Sequence, residues 1–184
     1  LRAPDPTGVA TGQSPPAADQ TGRAITDGIA LATDVWPLVG QARLKVLIWE
    51  VYDSALFTPS GRWQGDAPYR LSLHYLRNIP AAKLVEETEK AWREQGRNHP
   101  RLNEWLGLLG DLWPDIIEGD NLVFGLNELG DSAFWFNGSP LGSIEDRDFG
   151  PLFGGIWLDP DTPRPELRAQ LIGPTSKLAK NSQP

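Results

Sequence analysis

A long run of strand-forming residues constrains this chain more than any other stretch. It covers residues 40–57 and reads GQARLKVLIWEVYDSALF. Apolar side chains in this run alternate onto both faces of an extended chain, and a strand that is apolar on both faces is typical of the interior of a sheet. The run therefore predicts one strand over residues 42–49 that crosses a whole sheet and is buried on both faces. A break near Asp53 separates it from a short second strand over residues 54–58.

Three charged residues lie in this run and need an explanation. Burying the charges of Arg43, Lys45 and Glu50 is costly unless each is paired or holds a ligand. An arginine binds a carboxylate or a phenolate through two parallel hydrogen bonds, which makes Arg43 a candidate anion-binding residue. Its alternative role is a structural salt bridge to Glu50 or to another acid at the edge of the sheet. The residues alone leave both roles open.

Composition excludes several classes of function. The chain has 184 residues and a net charge of −7, and a negative protein lacks the cations that neutralise the phosphates of nucleic acids. No apolar run approaches the roughly 20 residues of a membrane span. There is no cysteine, and the two histidines, His74 and His99, do not have the spacing of metal ligands. We therefore expect no metal, no cofactor, no nucleic-acid partner and no membrane span.

The eight tryptophans are an unusual number for a domain of this size. Large aromatic side chains either build a core or line a ligand pocket. Because these tryptophans fall at the spacing of buried helix or strand positions, each of them also fits an ordinary place in the core. The candidates for a pocket are Trp49, Trp63, Trp105, Trp113 and Trp157.

The ends of the chain differ in composition from its centre. Residues 1–23 are rich in Pro, Gly and Thr and predict a flexible arm, and residues 174–184 predict a loose polar tail. The folded domain is expected over residues 24–173. The first residue is Leu1, which fits the removal of a signal peptide, so we expect an exported, periplasmic protein.

Periodic patterns over the rest of the chain alternate between runs of strands and runs of helices. Further strands are predicted at residues 69–76, 121–128, 132–136 and 141–144, and helices at 81–95, 100–113, 146–157 and 163–172. An Asn137-Gly138 pair indicates a tight hairpin turn. This order predicts an α+β fold, in which an antiparallel sheet of about six or more strands is packed on one face by a layer of helices.

Over about residues 40–173, the chain resembles the chalcone isomerase-like family, especially its bacterial branch. The resemblance rests on four segments in the same order along the chain: GQARLKVLIWEVYDSALF, YRLSLHYLRNIPAAKLVEET, LWPDIIEGD and NGSPLGSIEDRDFGPLFGGIWLDPDTPRPELRAQLIG. It implies an open-faced sandwich, with a large antiparallel sheet, a layer of helices on it and a cleft between the two.

The resemblance also implies a site in that cleft. The plant enzymes of the family close a chalcone to a flavanone with a strand arginine and with Thr, Tyr and Asn side chains, whereas related members hold a fatty acid by an Arg and a Tyr. Arg43 matches the strand arginine, and Tyr52 lies where the family has a strand Thr or Tyr. The helix over residues 81–95 lacks the Tyr and Asn of the plant enzymes and offers Lys83, Thr88 and Lys90 instead.

The resulting hypothesis is a protein that binds a small hydrophobic carboxylate or a lipid-like ligand in the cleft and does not form flavanones. The expected ligand-binding residues are Arg43, Tyr52, Trp49, Trp105 and Trp157. The alternative is an isomerase, an intramolecular lyase acting on a chalcone-like or other enone substrate, which needs a base beside the reacting oxygen. In a third hypothesis side chains fill the cleft and the domain is an interaction module. No pattern indicates an oligomeric state or assigns a catalytic residue.

Overall fold

The first two strands form a hairpin at one edge of the sheet. The computed structural model describes residues 36–173, so the predicted arm (1–23), residues 24–35 and the tail (174–184) lie outside the described residues. Strand β1 (Leu38–Val46) pairs antiparallel with strand β2 (Trp49–Phe57). The chain reverses at Leu47 and Ile48, and Leu47 has a positive φ of 56°.

The prediction of one strand over residues 42–49, buried on both faces, is therefore wrong. The side chains of Leu47 and Ile48 are 91% and 84% exposed. Two-residue hairpin turns are usually marked by Asn, Asp or Gly, and the apolar turn here carries none of them, so the pattern continues through it as if it were one strand. The predicted second strand over residues 54–58 is the end of β2.

The sheet has six strands, and every neighbouring pair is antiparallel. The strands follow chain order from β1 to β6, with β3 at Tyr69–Tyr75, β4 at Asn121–Leu126, β5 at Ser132–Phe136 and β6 at Ser139–Gly142. Asn137 and Gly138 join β5 and β6 with positive φ angles of 50° and 80°, as their sequence predicts. Strand β6 begins at Ser139, two residues before the predicted start.

Four helices cover one face of this sheet. Helices α1 (Ala81–Glu94) and α2 (Leu102–Leu112) connect β3 to β4, and helices α3 (Phe149–Leu158) and α4 (Pro165–Leu171) follow β6. Apolar side chains of the strands meet those of the helices in one core, whose fully buried members include Leu56, Leu71, Trp105, Leu109, Phe134, Phe149 and Leu171. The predicted α+β architecture is confirmed.

The opposite face of the sheet carries no described helix but is not fully open. Val123, Ala133 and Trp135 form a small apolar cluster there. Arg70 is buried beside it, and its guanidinium carbon lies 5.0 Å from the ring centres of both Trp36 and Trp135. Burial lowers the pKa of Arg70 to about 10, so the stacked cation keeps its charge at neutral pH.

Helix α3 lies directly on the sheet because it has glycines at its contact face. A Cβ atom on Gly154 would overlap the hydroxyl of Tyr69 in β3, and a Cβ atom on Gly150 would overlap Leu126 in β4. Glycines within a helix are unfavourable by about 1 kcal/mol each relative to alanine, so their presence in this sequence predicts the close approach of either a strand or a ligand. In the structure they allow the approach of strands.

We expect Gly154→Ala to lower the free energy of unfolding by about 1–3 kcal/mol, because the new methyl group must displace Tyr69 from a packed core. The matched control is Gly107→Ala in helix α2, where no atom lies within 4 Å of the added Cβ. That variant should gain up to about 1 kcal/mol, since alanine favours a helix over glycine. Urea denaturation measures both. Equal stability of Gly154→Ala and the unchanged protein would contradict this seating of α3.

Candidate functional site

A cavity of about 700 Å³ lies between the sheet and helices α1 and α3. This volume is within the range of sites that bind small molecules. The sheet provides one wall, the two helices provide the other, and Trp113 and the segment before α4 complete it. The residues of the apolar and aromatic interior are Leu44, Val51, Tyr52, Leu73, Tyr75, Leu84, Trp113, Leu122, Phe153, Ile156 and Trp157.

The rim of the cavity is charged, in contrast to its interior. Helix α1 contributes Lys83, Lys90 and two glutamates to the rim, and it contributes the buried Thr88 to the wall. The Nζ atom of Lys83 lies 3.2 Å from an oxygen of Glu87 and 3.2 Å from an oxygen of Glu86, so its charge is balanced by these two carboxylates. Thr88 uses its hydroxyl within the helix and donates to the carbonyl of Leu84 at 2.8 Å. The rim thus combines charged groups of α1, of which Lys83 and Glu87 are paired with each other, with arginines from other elements.

Tyr52 is the central polar group of the interior. It lies on β2, is buried, and its phenolic oxygen accepts a hydrogen bond of 2.9 Å from Nε1 of Trp157 on α3. Burial raises the pKa of Tyr52 to about 12, while the Trp157 N–H and the positive charge of Arg164 act in the opposite direction. The phenol is therefore neutral at physiological pH. Its own proton has no acceptor within residues 36–173 and is free to bind a ligand oxygen.

Arg164 lines the same cavity, and its charge acts to lower the pKa of this phenol. Its backbone N–H donates to Oγ1 of Thr162 at 3.1 Å, and the same hydroxyl donates to the carbonyl of Ile156 at 2.5 Å. These two bonds tie the segment before α4 to the end of α3, next to Tyr52. The guanidinium of Arg164 forms no hydrogen bond or ion pair with the part of the chain that the structure describes, so all its donors are available to a ligand.

Two further aromatic side chains bring unused polar groups to the cavity. The ring of Tyr75 on β3 lies 5.8 Å from that of Tyr52, and burial raises the pKa of Tyr75 above its ordinary value. The Nε1 atom of Trp113 is buried, and no residue in the described range accepts its hydrogen bond. Buried polar groups are nearly always paired. Such donors therefore mark a place where a ligand oxygen or water completes the hydrogen bonding.

The structure brings three of the five predicted ligand-binding residues to the cavity. Tyr52 and Trp157 lie inside it, and Trp49 lies at its rim, with the guanidinium of Arg77 4.1 Å from the centre of its ring. Trp105 lies elsewhere: it is fully buried in the core, and its Nε1 donates to Asp146 at 3.2 Å. The tryptophans thus divide between the pocket and the core, the two roles that their spacing left open.

The structure does not bring Arg43 to the cavity. Arg43 alternates along β1 with Leu44, which lines the cavity, so its side chain projects from the opposite face of the sheet. There it donates to both oxygens of Asp53, at 2.6 and 2.8 Å, and to Glu50 at 3.0 Å. These hydrogen bonds from Arg43 lower the pKa of both carboxyl groups. Arg43 therefore has the structural salt bridge that was its alternative role.

The hairpin explains why Arg43 and Tyr52 are on different faces. Across the two strands Arg43 is paired with Asp53, whereas Tyr52 is paired with Leu44. Directly paired residues share a face and neighbours along a strand do not. The cations that line the cavity with Tyr52 therefore come from other elements, and Arg164 is the one whose charge acts on its phenol.

Sequence reasoning missed Arg164, Arg77 and Tyr75 as site residues, although it proposed Lys83, Thr88 and Lys90, which do line the cavity. Tyr75 could have been found, because it falls on the apolar side of an alternating strand. Arg164 had no comparable signal, since it lies in the loop between α3 and α4, where no periodicity indicates a direction.

Two kinds of feature are absent from residues 36–173. No group of three or more His, Cys, Asp or Glu side chains there is arranged to hold a metal ion. No helix in this range has the length and apolar character that crossing a bilayer requires.

We expect the three tyrosines of the chain to resist ionisation in the folded state. Burial raises the pKa of Tyr52 to about 12 and also raises those of Tyr69 and Tyr75, whereas an exposed phenol has a pKa of about 10. The stabilising contribution of these phenols is complete below pH ~10. It is lost as the pH rises through the folded-state value, because the unfolded chain releases its protons first.

Ultraviolet absorbance of phenolate measures this directly. The folded protein should show no tyrosine ionising near pH ~10, and the chain in denaturant should show all of them doing so. Tyr52→Phe should remove one phenolate from the alkaline transition. A phenol of the folded protein that titrates near its ordinary pKa would mean that the aromatic interior is open to water.

The chain is similar to a known protein in structure and to another in sequence. No protein-family model matches the sequence. In structure it is similar to a fatty-acid binding protein of Arabidopsis thaliana, with a TM-score of 0.59, 11% identity, and coverage of 80% of this chain and 92% of that one. This likeness confirms the chalcone isomerase-like open-faced sandwich as the fold.

In sequence the chain is 30% identical over 146 residues to an uncharacterized protein of Haemophilus influenzae, in an alignment that covers 76% of this chain and 69% of that protein. The chain belongs to the same protein family as this Haemophilus influenzae protein.

Proposed function

We propose that this protein binds a small hydrophobic carboxylate, with fatty acids as the leading class, in the cavity between the sheet and the helices. The observation that carries the proposal is that Arg164 and the Tyr52 phenol line the same cavity, whose interior is apolar and aromatic, and that the charge of Arg164 acts on this phenol. The structural likeness to a fatty-acid binding protein supports the same class of ligand. The residue pattern also supports a place among the chalcone isomerase-like proteins.

The cavity suits the two parts of a fatty acid separately. Its buried apolar side chains, such as Leu73 and Phe153, stabilise a bound alkyl chain by about 0.8 kcal/mol for each CH₂ group removed from water. Arg164 and the proton of Tyr52 provide donors for the carboxylate, and charge-assisted bonds of this kind are stronger than neutral ones. A ligand with one anionic head and one apolar tail therefore satisfies both parts.

We assign the anion to Arg164 rather than to Arg43. All the short contacts of Arg43 are to Asp53 and Glu50 on the far side of the sheet, so a ligand in the cavity cannot reach it. Arg164 supplies the same chemistry from the helical side. The strand arginine of the family pattern and the cation beside Tyr52 are thus two different residues in this chain.

The isomerase hypothesis needs a base beside the reacting oxygen. The carboxylates that line the cavity are Glu87 and Glu94. Both are exposed at the rim, and Glu87 is already paired with Lys83 at 3.2 Å. This arrangement favours binding over proton abstraction. The open volume of about 700 Å³ likewise favours a ligand over the third hypothesis, in which side chains fill the cleft.

Isothermal titration calorimetry with saturated and unsaturated fatty acids tests the proposal by measuring their affinity for the protein. We expect Arg164→Ala to weaken binding about tenfold or more and Tyr52→Phe to weaken it by a smaller factor, because each removes a hydrogen bond to a charged group. The matched control is Arg43→Ala, which removes an arginine from the other face of the sheet and should leave the affinity unchanged.

Two results would contradict the proposal. Failure of the unchanged protein to bind any fatty acid would exclude this ligand class. Equal loss of affinity in Arg43→Ala and Arg164→Ala would show that the anion is not held at Arg164. Turnover of a chalcone, measured on the same preparations, distinguishes the isomerase hypothesis.

A further inference from the structure

The turn of the β1–β2 hairpin presents large apolar side chains to solvent. We call residues Val46, Leu47, Ile48 and Trp49 the apolar tip; they are 39%, 91%, 84% and 52% exposed. Leu47 also adopts a left-handed backbone conformation, with φ at 56°, which is unfavourable for a side chain of this kind. Asn or Gly would suit the turn better. Within residues 36–173, therefore, neither turn geometry nor packing accounts for Leu47 and Ile48.

The apolar tip borders the mouth of the cavity. Trp49, Arg77 and Asn78 line the cavity and also line a shallow surface depression beneath Leu47 and Ile48. Glu118 lies in the same depression, and the residue before it, Ile117, is itself exposed. The most exposed apolar side chains in the described part of the chain thus adjoin residues that line the cavity containing Tyr52.

We propose that the apolar tip inserts into the surface of a lipid bilayer and that the fatty acid passes between the bilayer and the cavity at this point. The inference rests on the proposed function. Proteins hold to a bilayer surface through a few large apolar side chains that reach below the headgroups, with tryptophan at headgroup level. The tip has this order, since Leu47 and Ile48 are outermost, Trp49 lies behind them, and charged residues follow.

The charges around the tip indicate the kind of surface. Lys45 and Arg77 stand beside Glu50 and Glu118 in the same depression, and the whole chain has a net charge of −7. A ring of both signs suits zwitterionic headgroups, whereas the net charge opposes an anionic surface. A two-residue turn is also narrow for a stable protein interface, which typically buries about 800 Å² on each partner. These features favour a zwitterionic lipid surface over a protein partner.

Flotation with phosphatidylcholine vesicles tests the inference. We expect the unchanged chain to float with the vesicles and the double variant Leu47→Asp with Ile48→Asp to lose at least about tenfold in vesicle association. The matched control is Leu129→Asp. Leu129 is a 66% exposed leucine in the turn between β4 and β5, at the opposite end of the sheet, and should not affect flotation. All three substitutions are at exposed positions, and equal unfolding midpoints verify that the fold is kept.

Fatty-acid binding without vesicles separates this inference from the function on which it rests. The double variant should bind a fatty acid as tightly as the unchanged chain but take it up from vesicles more slowly. Equal flotation of the double variant and the unchanged chain would overturn the membrane contact, even with fatty-acid binding intact. The unchanged chain could instead float only with an intact tip and bind no fatty acid. That result would overturn the proposed function and the transfer of fatty acid, but not the contact between the tip and the membrane.

Self-association is the competing use of an apolar tip. Sedimentation equilibrium would then show a dimer of the unchanged chain and a monomer of the double variant, and neither would associate with vesicles. That result would overturn the inference. A monomer that floats only with an intact tip would support it.

Discussion

The register of the β1–β2 hairpin is the constraint on which the site depends. Because Tyr52 is paired with Leu44 and Arg43 with Asp53, one alternate set of side chains faces the helices and the other faces away. The first set builds the sheet wall of the cavity, and the second forms an exposed ion-pair cluster. A shift of β1 by one residue against β2 would turn over every side chain of β1. It would place Arg43 under the helices and turn Leu44 away from the cavity, while the pairing of Tyr52 with Tyr75 in β3 keeps Tyr52 in place.

Patterns confined to one element were predicted well from the sequence, because their signal is local. The alternation of β3, the apolar stripe of α1 and the Asn137-Gly138 turn each depend on neighbouring residues alone. The β1–β2 turn was not predicted, because Leu47 and Ile48 carry the signal of a buried strand and only the tertiary structure exposes them. The conformation of a segment cannot be predicted from its local residue preferences where these contradict its place in the fold. Such segments are often functional.

The site was predictable in part, for the same reason. Tyr52 and Trp157 were found as candidates although their hydrogen bond joins residues 105 positions apart, since each lies in an element with a clear pattern. The cation was assigned to Arg43 because a charge in an apolar strand needs a partner and because Arg43 matches the strand arginine of the family pattern. In the structure the two loop bonds of Thr162 bring Arg164 to that place instead. The position of a charge within a strand pattern is a weak guide wherever an unpredicted turn decides which side chains share a face.

On the proposed route from a bilayer to the cavity, one hairpin supplies the apolar tip, the rim residue Trp49 and the buried phenol of Tyr52. From the turn inward, the path meets Leu47 and Ile48, then Trp49 under Arg77, and then the phenol of Tyr52. Polarity along it changes from apolar at the tip to mixed charge at the mouth and to an aromatic interior with a few hydrogen-bond donors. An amphiphile leaving a bilayer meets the same sequence of environments that it leaves: apolar chains, then headgroups. The tip and Tyr52 belong to the same hairpin. The sheet that fixes the register of Tyr52 therefore also fixes the distance between the turn and the Tyr52 phenol.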